Sequence, residues 1–223
     1  MTDFIHQNRE TYNKIAQHFS GTREYVWQDL KPLKAYTKDG NRILDVGCGN
    51  GRLYQMFQDL SITYTGVDQS EGLITLAREK FPSGQFDIAE MTCLPYPDQS
   101  FDIVYCIAAF QHMPTRETRL KALAEMKRLL VLGGYIILTN WNLFSKTASV
   151  RHPQFASGDF MIPWKSNTTG EVLAERYYHG FIISELEELF LESKLTVVEQ
   201  YYSWKGEKSN QEEATNIISI VTT

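Results

Sequence analysis

A single α/β domain with a mostly parallel sheet and helices on both faces is the fold class this sequence predicts, on three observations. The chain has 223 residues, 43% apolar and 22% charged, which fills one core and leaves little for a second. Five short apolar runs alternate with stretches of helical periodicity, the pattern of βαβ units. The first of those runs leads straight into alternate glycines, as a strand does when it must turn sharply into a helix.

The elements follow in order. Residues 1–40 read as a helical cap, with Tyr12, Ile15 and Phe19, then Tyr25, Leu30 and Leu33, at helical intervals and breaks at Ser20-Gly21 and Lys38-Asp39-Gly40. Residues 41–141 carry the strand candidates 42–46, 63–67, 85–89, 101–107 and 135–140. Ser70 is placed to cap a helix with Leu73, Leu76 and Ala77, and a helix after Pro114 carries Leu120, Leu123 and Leu130 on one side until Gly133. Residues 142–180 show little periodicity and are too many for a connection, so they are expected to form a substrate-side insertion. In 181–223, Ser184 and Glu187 offer a capping box for a helix with Leu186, Leu189 and Phe190. Strands 196–202 and 217–221 then close a seven-stranded sheet as an antiparallel hairpin.

The net charge of −5 is local: residues 185–213 hold eight acids against Lys194, Lys205 and Lys208, leaving the rest close to neutral. That balance lacks the overall basic footprint of a nucleic-acid binder, although a local patch can suffice. The helix from Arg116 to Arg128 has five basic residues against Glu117 and Glu125, and Arg23, Arg151, Lys165 and Arg176 could add to such a patch. Cys48, Cys93 and Cys106 show neither even pairing nor C-x-x-C spacing, which points to a reduced, cytoplasmic compartment and to no metal site. No signal peptide or membrane-spanning run is expected, because the apolar stretch from Leu129 to Leu138 is split by Gly133 and Gly134.

The run Arg42-Ile-Leu-Asp-Val-Gly-Cys-Gly-Asn-Gly51 carries the chemistry. Glycine permits a tight turn and close backbone approach by a ligand. In dinucleotide enzymes such a loop seats a pyrophosphate on a helix N-terminus. Here Asp45 at the strand end opposes a pyrophosphate and suits a ligand with an ammonium and a sulfonium group. Asp68, ending the second strand in Gly-Val-Asp-Gln-Ser, can accept hydrogen bonds from both hydroxyls of a ribose.

Asp45-Val-Gly-Cys-Gly-Asn-Gly51, Val67-Asp-Gln-Ser70 and Leu94-Pro-Tyr-Pro-Asp-Gln-Ser-Phe-Asp102, in this order, resemble the motif series of class I S-adenosylmethionine-dependent methyltransferases. The resemblance implies a Rossmann-like fold, S-adenosyl-L-methionine as cofactor and S-adenosyl-L-homocysteine as product. It places Asp45, Gly47, Cys48, Gly49, Asp68, Gln69, Glu90, Met91 and Ile107 at the cofactor. Glu90 stands for the acid near the adenine amino group, where the family more often has Asp; Met91 offers its backbone N–H, and Asp87 is the less favoured choice. Cys48 needs no redox role.

Other segments resemble the tRNA wobble-uridine methyltransferases, which esterify carboxymethyluridine. These are Tyr12-Asn-Lys-Ile-Ala-Gln-His-Phe-Ser20 with Thr22-Arg23 and Trp27, Ile107-Ala-Ala-Phe-Gln-His112, Asp159-Phe-Met-Ile-Pro-Trp164 and Arg176-Tyr-Tyr-His179. Implied partners are tRNA and the small zinc-bearing activator subunit of eukaryotic members.

A carboxylate acceptor is already ionised at neutral pH, so its methylation needs alignment and desolvation rather than a base. Arg23 or Arg176 could hold the carboxylate, or both could be surface charge. Tyr177, Tyr178, Trp141 or Trp164 could stack on an extruded base, with Tyr12 and His179 beside them. For Tyr177, Tyr178 and His179 the alternative is packing and a structural hydrogen bond. His112, after the fourth strand, either meets the substrate as contact or base or faces solvent. Two other readings stand beside the tRNA enzyme: methylation of a small metabolite, and cofactor binding without catalysis.

Overall fold

The computed structural model describes residues 3–23, 25–152 and 154–223. Helix α1 (Phe4–Thr22) starts at Asp3, whose carboxylate accepts the His6 amide, and a 3-10 segment follows at Gln28–Tyr36. Then come β1 (Arg42–Val46), a 3-10 segment at Arg52–Phe57, β2 (Thr63–Asp68), α2 (Glu71–Lys80), β3 (Gln85–Ile88) and β4 (Phe101–Ile107). The chain continues through α3 (Arg116–Leu129), β5 (Leu130–Trp141), α4 (Lys146–Arg151), β6 (Gln154–Ala156), β7 (Asp159–Lys165) and β8 (Val172–His179). It ends with α5 (Ile183–Glu192), β9 (Thr196–Trp204), β10 (Glu207–Ser209) and β11 (Asn216–Thr222).

The main sheet runs β10-β9-β11-β5-β4-β1-β2-β3, with β1 to β5 mutually parallel and β11 antiparallel to both β5 and β9. Side chains alternate across it with period two. Leu44, Val104, Ile136 and Leu138 face α3 and α5, against Leu123, Met126, Leu186 and Phe190. Ile43, Ile103, Tyr105 and Ile137 face the other way, toward Leu30, Leu33, Phe57, Ile74 and Ala77. The order reverses between β1 and β4, and at such a switch point an open α/β sheet leaves a crevice beyond its carboxyl ends.

Four expectations are corrected. The sheet has eight strands, because residues after β9 fold back as β10 through a tight turn with Lys205 and Gly206 at positive φ. The 142–180 region is structured: β6, β7 and β8 form a second antiparallel sheet around Leu143, Phe160, Ile162 and Tyr178. The short polar turns between these strands hid that pattern. Leu130 opens β5 instead of ending the preceding helix. The Ser184–Glu187 capping box does not form, since α5 begins at Ile183 with no side-chain cap and is held by burial of Leu186, Leu189 and Phe190. A box forms at Thr115 and Thr118 on α3 instead, and Ser70 caps α2 as expected.

The basic character of α3 is neutralised locally. Arg116 pairs with Glu192 at 2.5 Å, Arg119 with Glu185 at 3.0 Å, Lys121 with Glu117 and Arg128 with Asp98 and Glu125, while Lys127 donates to the Ser193 and Lys194 carbonyls. This helix presents no free basic patch.

Candidate active site

Helix α1 crosses the carboxyl ends of the parallel strands and is pinned there by three asparagines. Asn8 is fully buried and copies a strand partner for β8: its Nδ2 donates to the Tyr177 carbonyl (3.0 Å) and its Oδ1 accepts the Tyr177 amide (2.8 Å). Asn13 Oδ1 accepts from Ser70 Oγ and the Gly72 amide, and Asn50 Nδ2 donates to Ser20 Oγ and the Arg23 carbonyl. Two adjoining cavities lie under the helix and share Tyr12, Gly47, Asp68, Ala109 and His112.

The glycine loop forms the floor. Gly47, Gly49 and Gly51 all have positive φ, and a Cβ built on Gly47 would lie 2.3 Å from the Cβ of Ala109. Only glycine lets the loop after β1 pass so close to the loop after β4, where Ala108 itself sits at φ +51. Asp45 is buried at the strand end. Tyr64 donates to its Oδ2 at 2.5 Å, while Oδ1 has no hydrogen-bond partner. Burial pushes the Asp45 carboxyl up to about 7, against the opposing effect of the Tyr64 hydrogen bond. Asp68 is also raised by burial, although its oxygens accept the Gly49 and Ser70 amides at 2.9 and 2.8 Å. Cys48 lies beside them, its thiol raised by burial and by Asp45.

Toward the second cavity, Gln69, Ala89, Glu90 and Met91 line the wall with Asp68. Glu90 meets Arg9 at 3.6 Å; Asp87 accepts from Tyr96 and Gln85 and lines neither cavity. Ile107 closes the first cavity.

Opposite the glycine loop the first cavity is cationic and aromatic. Arg23, Arg52, Arg176, Tyr12, His112, Trp141 and Tyr178 line it, and its carboxylates are Asp45 and Asp68 alone. Arg176 is 3% exposed; its Nη1 reaches the Tyr12 hydroxyl at 3.5 Å and its Nε is unpartnered. Neither Arg23 nor Arg176 makes an ion pair among the described residues. Both guanidiniums stand over the Trp164 ring, at 5.4 and 4.8 Å from its centroid.

His112 is buried and bonded on both sides. Its Nδ1 lies 2.8 Å from the Tyr177 carbonyl and so carries the hydrogen, which leaves Nε2 to accept from the Tyr12 hydroxyl at 3.1 Å. Desolvation drives its pKa down to about 4, so the ring is neutral at pH 7.

Three expected substrate contacts lie outside both cavities. Trp164 is buried against Phe19, its indole N–H donating to His18, and it supports the arginines from behind. Tyr177 is fully buried, stacked on Phe4 and bonded to Asp159. His179 sits with one ring nitrogen 2.8 Å from Asp159 and the other 2.9 Å from Glu185, which also binds Arg119, so it ties β8 to α3 and α5. Sequence alternation along Arg176-Tyr-Tyr-His179 already puts Arg176 and Tyr178 on one face and Tyr177 and His179 on the other. Arg52 was not expected at the site, and Trp27 was expected only as part of the N-terminal segment of the resemblance; both line the first cavity. Arg52 lies 4.1 Å from the Trp27 ring centroid with Nη1 unpartnered, and burial lowers its pKa to about 10.

Comparison with known proteins agrees with this layout. A methyltransferase-domain family model matches residues 44–138. A methyltransferase-named relative from Encephalitozoon cuniculi is 32% identical over 88% of this chain and 89% of its own. The Schizosaccharomyces pombe tRNA (carboxymethyluridine(34)-5-O)-methyltransferase is 29% identical over 90% of this chain and 92% of its own. The Saccharomyces cerevisiae protein of that name is 32% identical over 73% of this chain, which spans 56% of that relative's length. Among solved structures, a Methanosarcina mazei SAM-dependent methyltransferase superposes with TM-score 0.71 at 22% identity, over 86% of this chain and 96% of its own. A Haloferax volcanii methyltransferase, solved with the Trm112 methyltransferase activator, gives 0.69 at 17% identity over 95% and 96%. No described helix is long and apolar enough to cross a membrane. By the glycine loop at the switch point, the match to the methyltransferase-domain model and the Encephalitozoon relative, this chain belongs to the class I S-adenosylmethionine-dependent methyltransferases.

Proposed function

We propose that the chain methylates the carboxymethyl group of a modified wobble uridine in tRNA, in the cytoplasm, using S-adenosyl-L-methionine. One observation carries the acceptor: the guanidiniums of buried Arg176 and half-buried Arg23 face the cavity without an ion pair, while its two carboxylates, Asp45 and Asp68, belong to the glycine-loop side. Buried charges are costly unless paired, so a cavity walled by unpaired arginines is built for an anion. The residues also fit the cofactor. The orphaned Oδ1 of Asp45 matches an ammonium, Asp68 keeps lone pairs for a ribose, and the Gly47 cradle gives room that a Cβ would fill. Gln69, Glu90 and Met91 line the extension that suits an adenine, with Cys48, Gly49 and Ile107 along the walls.

When bound, the cofactor supplies a methyl group activated on a sulfonium. The protein needs no base for a carboxylate acceptor, and the neutral, doubly bonded His112 supports a positioning role: it fixes Tyr12, which in turn touches Arg176. Arg23 and Arg176 would orient the acceptor oxygen, while Trp141, stacked on Tyr178 at 5.1 Å, would offer its other face to the pyrimidine. The names of the fission and budding yeast relatives support the tRNA substrate. A small activator subunit, as in the Haloferax complex, belongs to the same proposal.

The test is transfer of labelled methyl to tRNA carrying carboxymethyluridine, followed by mild alkali. Label that enters tRNA and is released by alkali identifies the ester; alkali-stable label moves the acceptor to a base or ribose atom. No labelling of tRNA, with or without the activator, directs the same arginine pair to a small carboxylate metabolite.

A further inference from the structure

Behind Trp27 and Trp141, which also wall the first cavity, a separate open groove of about 430 Å³ runs between the Gln28–Tyr36 segment, α4 and the β9–β10 turn. Its lining includes Arg151, His152, Asn142 and Lys205. We propose that this groove is a second nucleotide subsite, holding the phosphodiester-linked neighbour of the target uridine; the inference rests on the RNA reading above.

Four observations carry it. The groove shares Trp27 and Trp141 as a common wall with the methyl-transfer cavity, the first carrying Arg52 and the second Tyr178 on one face, which leaves the other face of each for a base. Arg151 and Lys205 make no ion pair among the described residues, although the surrounding chain is the acidic part of the molecule. Asn142 is 2% exposed and its amide orientation is fixed, because Nδ2 donates to the Gln211 and Ala214 carbonyls while Oδ1 has no partner. Lys205 occupies φ +54, a conformation that costs an L residue energy and that a glycine or asparagine would adopt more readily.

That turn is also held in place. Asp29 is buried under it and accepts from Ser203 Oγ at 2.5 Å and the Gly206 amide at 3.2 Å, and a Cβ on Gly206 would meet the Gln28 carbonyl at 2.9 Å. Lys205, on this clamped turn with its ammonium 4.3 Å from the Trp204 ring centroid, and Arg151 thus both line the groove as cations without an acidic partner. Two cations and a stacking wall suit a phosphate and its base, and not a free anion small enough to enter the first cavity.

The experiment compares R151A/K205G with the parent chain, using a synthetic anticodon stem-loop RNA in fluorescence anisotropy across a salt series. Glycine at 205 relieves the turn, so a variant that melts no lower than the parent excludes misfolding as the cause of lost binding. We expect RNA affinity to fall about ten-fold and the slope of log affinity on log salt to flatten by roughly 1.5, as for two lost phosphate contacts, with S-adenosylmethionine affinity unchanged. Equal RNA affinity in variant and parent overturns the subsite and leaves the RNA reading standing. A parent chain that fails to bind the RNA at all, alone and with the activator, overturns both.

Discussion

Replacing Asp45 by asparagine tests the reading of the cofactor floor through stability as well as binding. The carboxyl is raised from 3.8 to about 7 by burial. A gap of that size corresponds to about 4 kcal/mol. The unfolded chain, with the ordinary lower value, releases its proton first as pH rises, so ionisation at Asp45 costs stability increasingly from about pH 4 and levels off above about 7. Asparagine removes that cost and keeps the shape. In urea unfolding without cofactor, D45N should therefore gain about 2 to 3 kcal/mol more over the parent at pH 8 than at pH 5, while its affinity for S-adenosylmethionine falls ten- to hundred-fold with the charge-assisted contact to the ammonium. A gain independent of pH, or unchanged cofactor affinity, refutes the reasoning.

Other outcomes follow from the same geometry. Arg176→Gln and Arg23→Ala should each leave cofactor affinity within two-fold and lower kcat/KM on tRNA by about ten- to hundred-fold, the value of a charged hydrogen bond; unchanged turnover removes the residue from the site. His112 is depressed from 6.5 to about 4, so it contributes stability above about pH 6.5 that is lost as pH falls toward 4, on the order of 3 kcal/mol. Urea titrations of H112Q should show that pH-dependent part gone, and the parent's kcat/KM should have no inflection near pH 6.5 from this ring. Gly47→Ala, with its Cβ 2.3 Å from that of Ala109 and φ at +74, should cost about 3 kcal/mol in unfolding and close the crevice to cofactor. A mild loss with normal binding shows that the two loops part easily.

The cofactor half was legible because its signals are local. The strand, the alternate glycines and the two strand-end acids lie within short stretches, and backbone geometry binds each to its place. All nine residues expected at the cofactor line the two cavities. The acceptor half depends on alternation within β8 and on packing between distant segments. For Tyr177 and His179 it is the packing and structural hydrogen-bond alternative that the structure bears out, because strand alternation turns them away from Arg176 and Tyr178. Trp164 was expected to touch substrate and instead supports the arginines. Arg52 carried a signal only in hindsight of position, as the first residue past the glycine turn, and Trp27 only through the N-terminal segment of the resemblance. The β6–β8 sheet stayed hidden because β6 has only three residues, Pro163 interrupts β7, and Glu175 and Arg176 break the apolar pattern of β8.

The asparagine at position 8 gives the site a place in time. Its partner, Tyr177, lies 169 residues further along the chain. Contacts of such sequence separation form late, because loop closure must be met before they repay it. A chain emerging from the ribosome thus offers α1 its seats at Asn50, Ser70 and Gly72 well before the Asn8 end has a partner. The Asn8 end of the roof waits for β8, so the last third of the sequence decides when the first helix is fully in place.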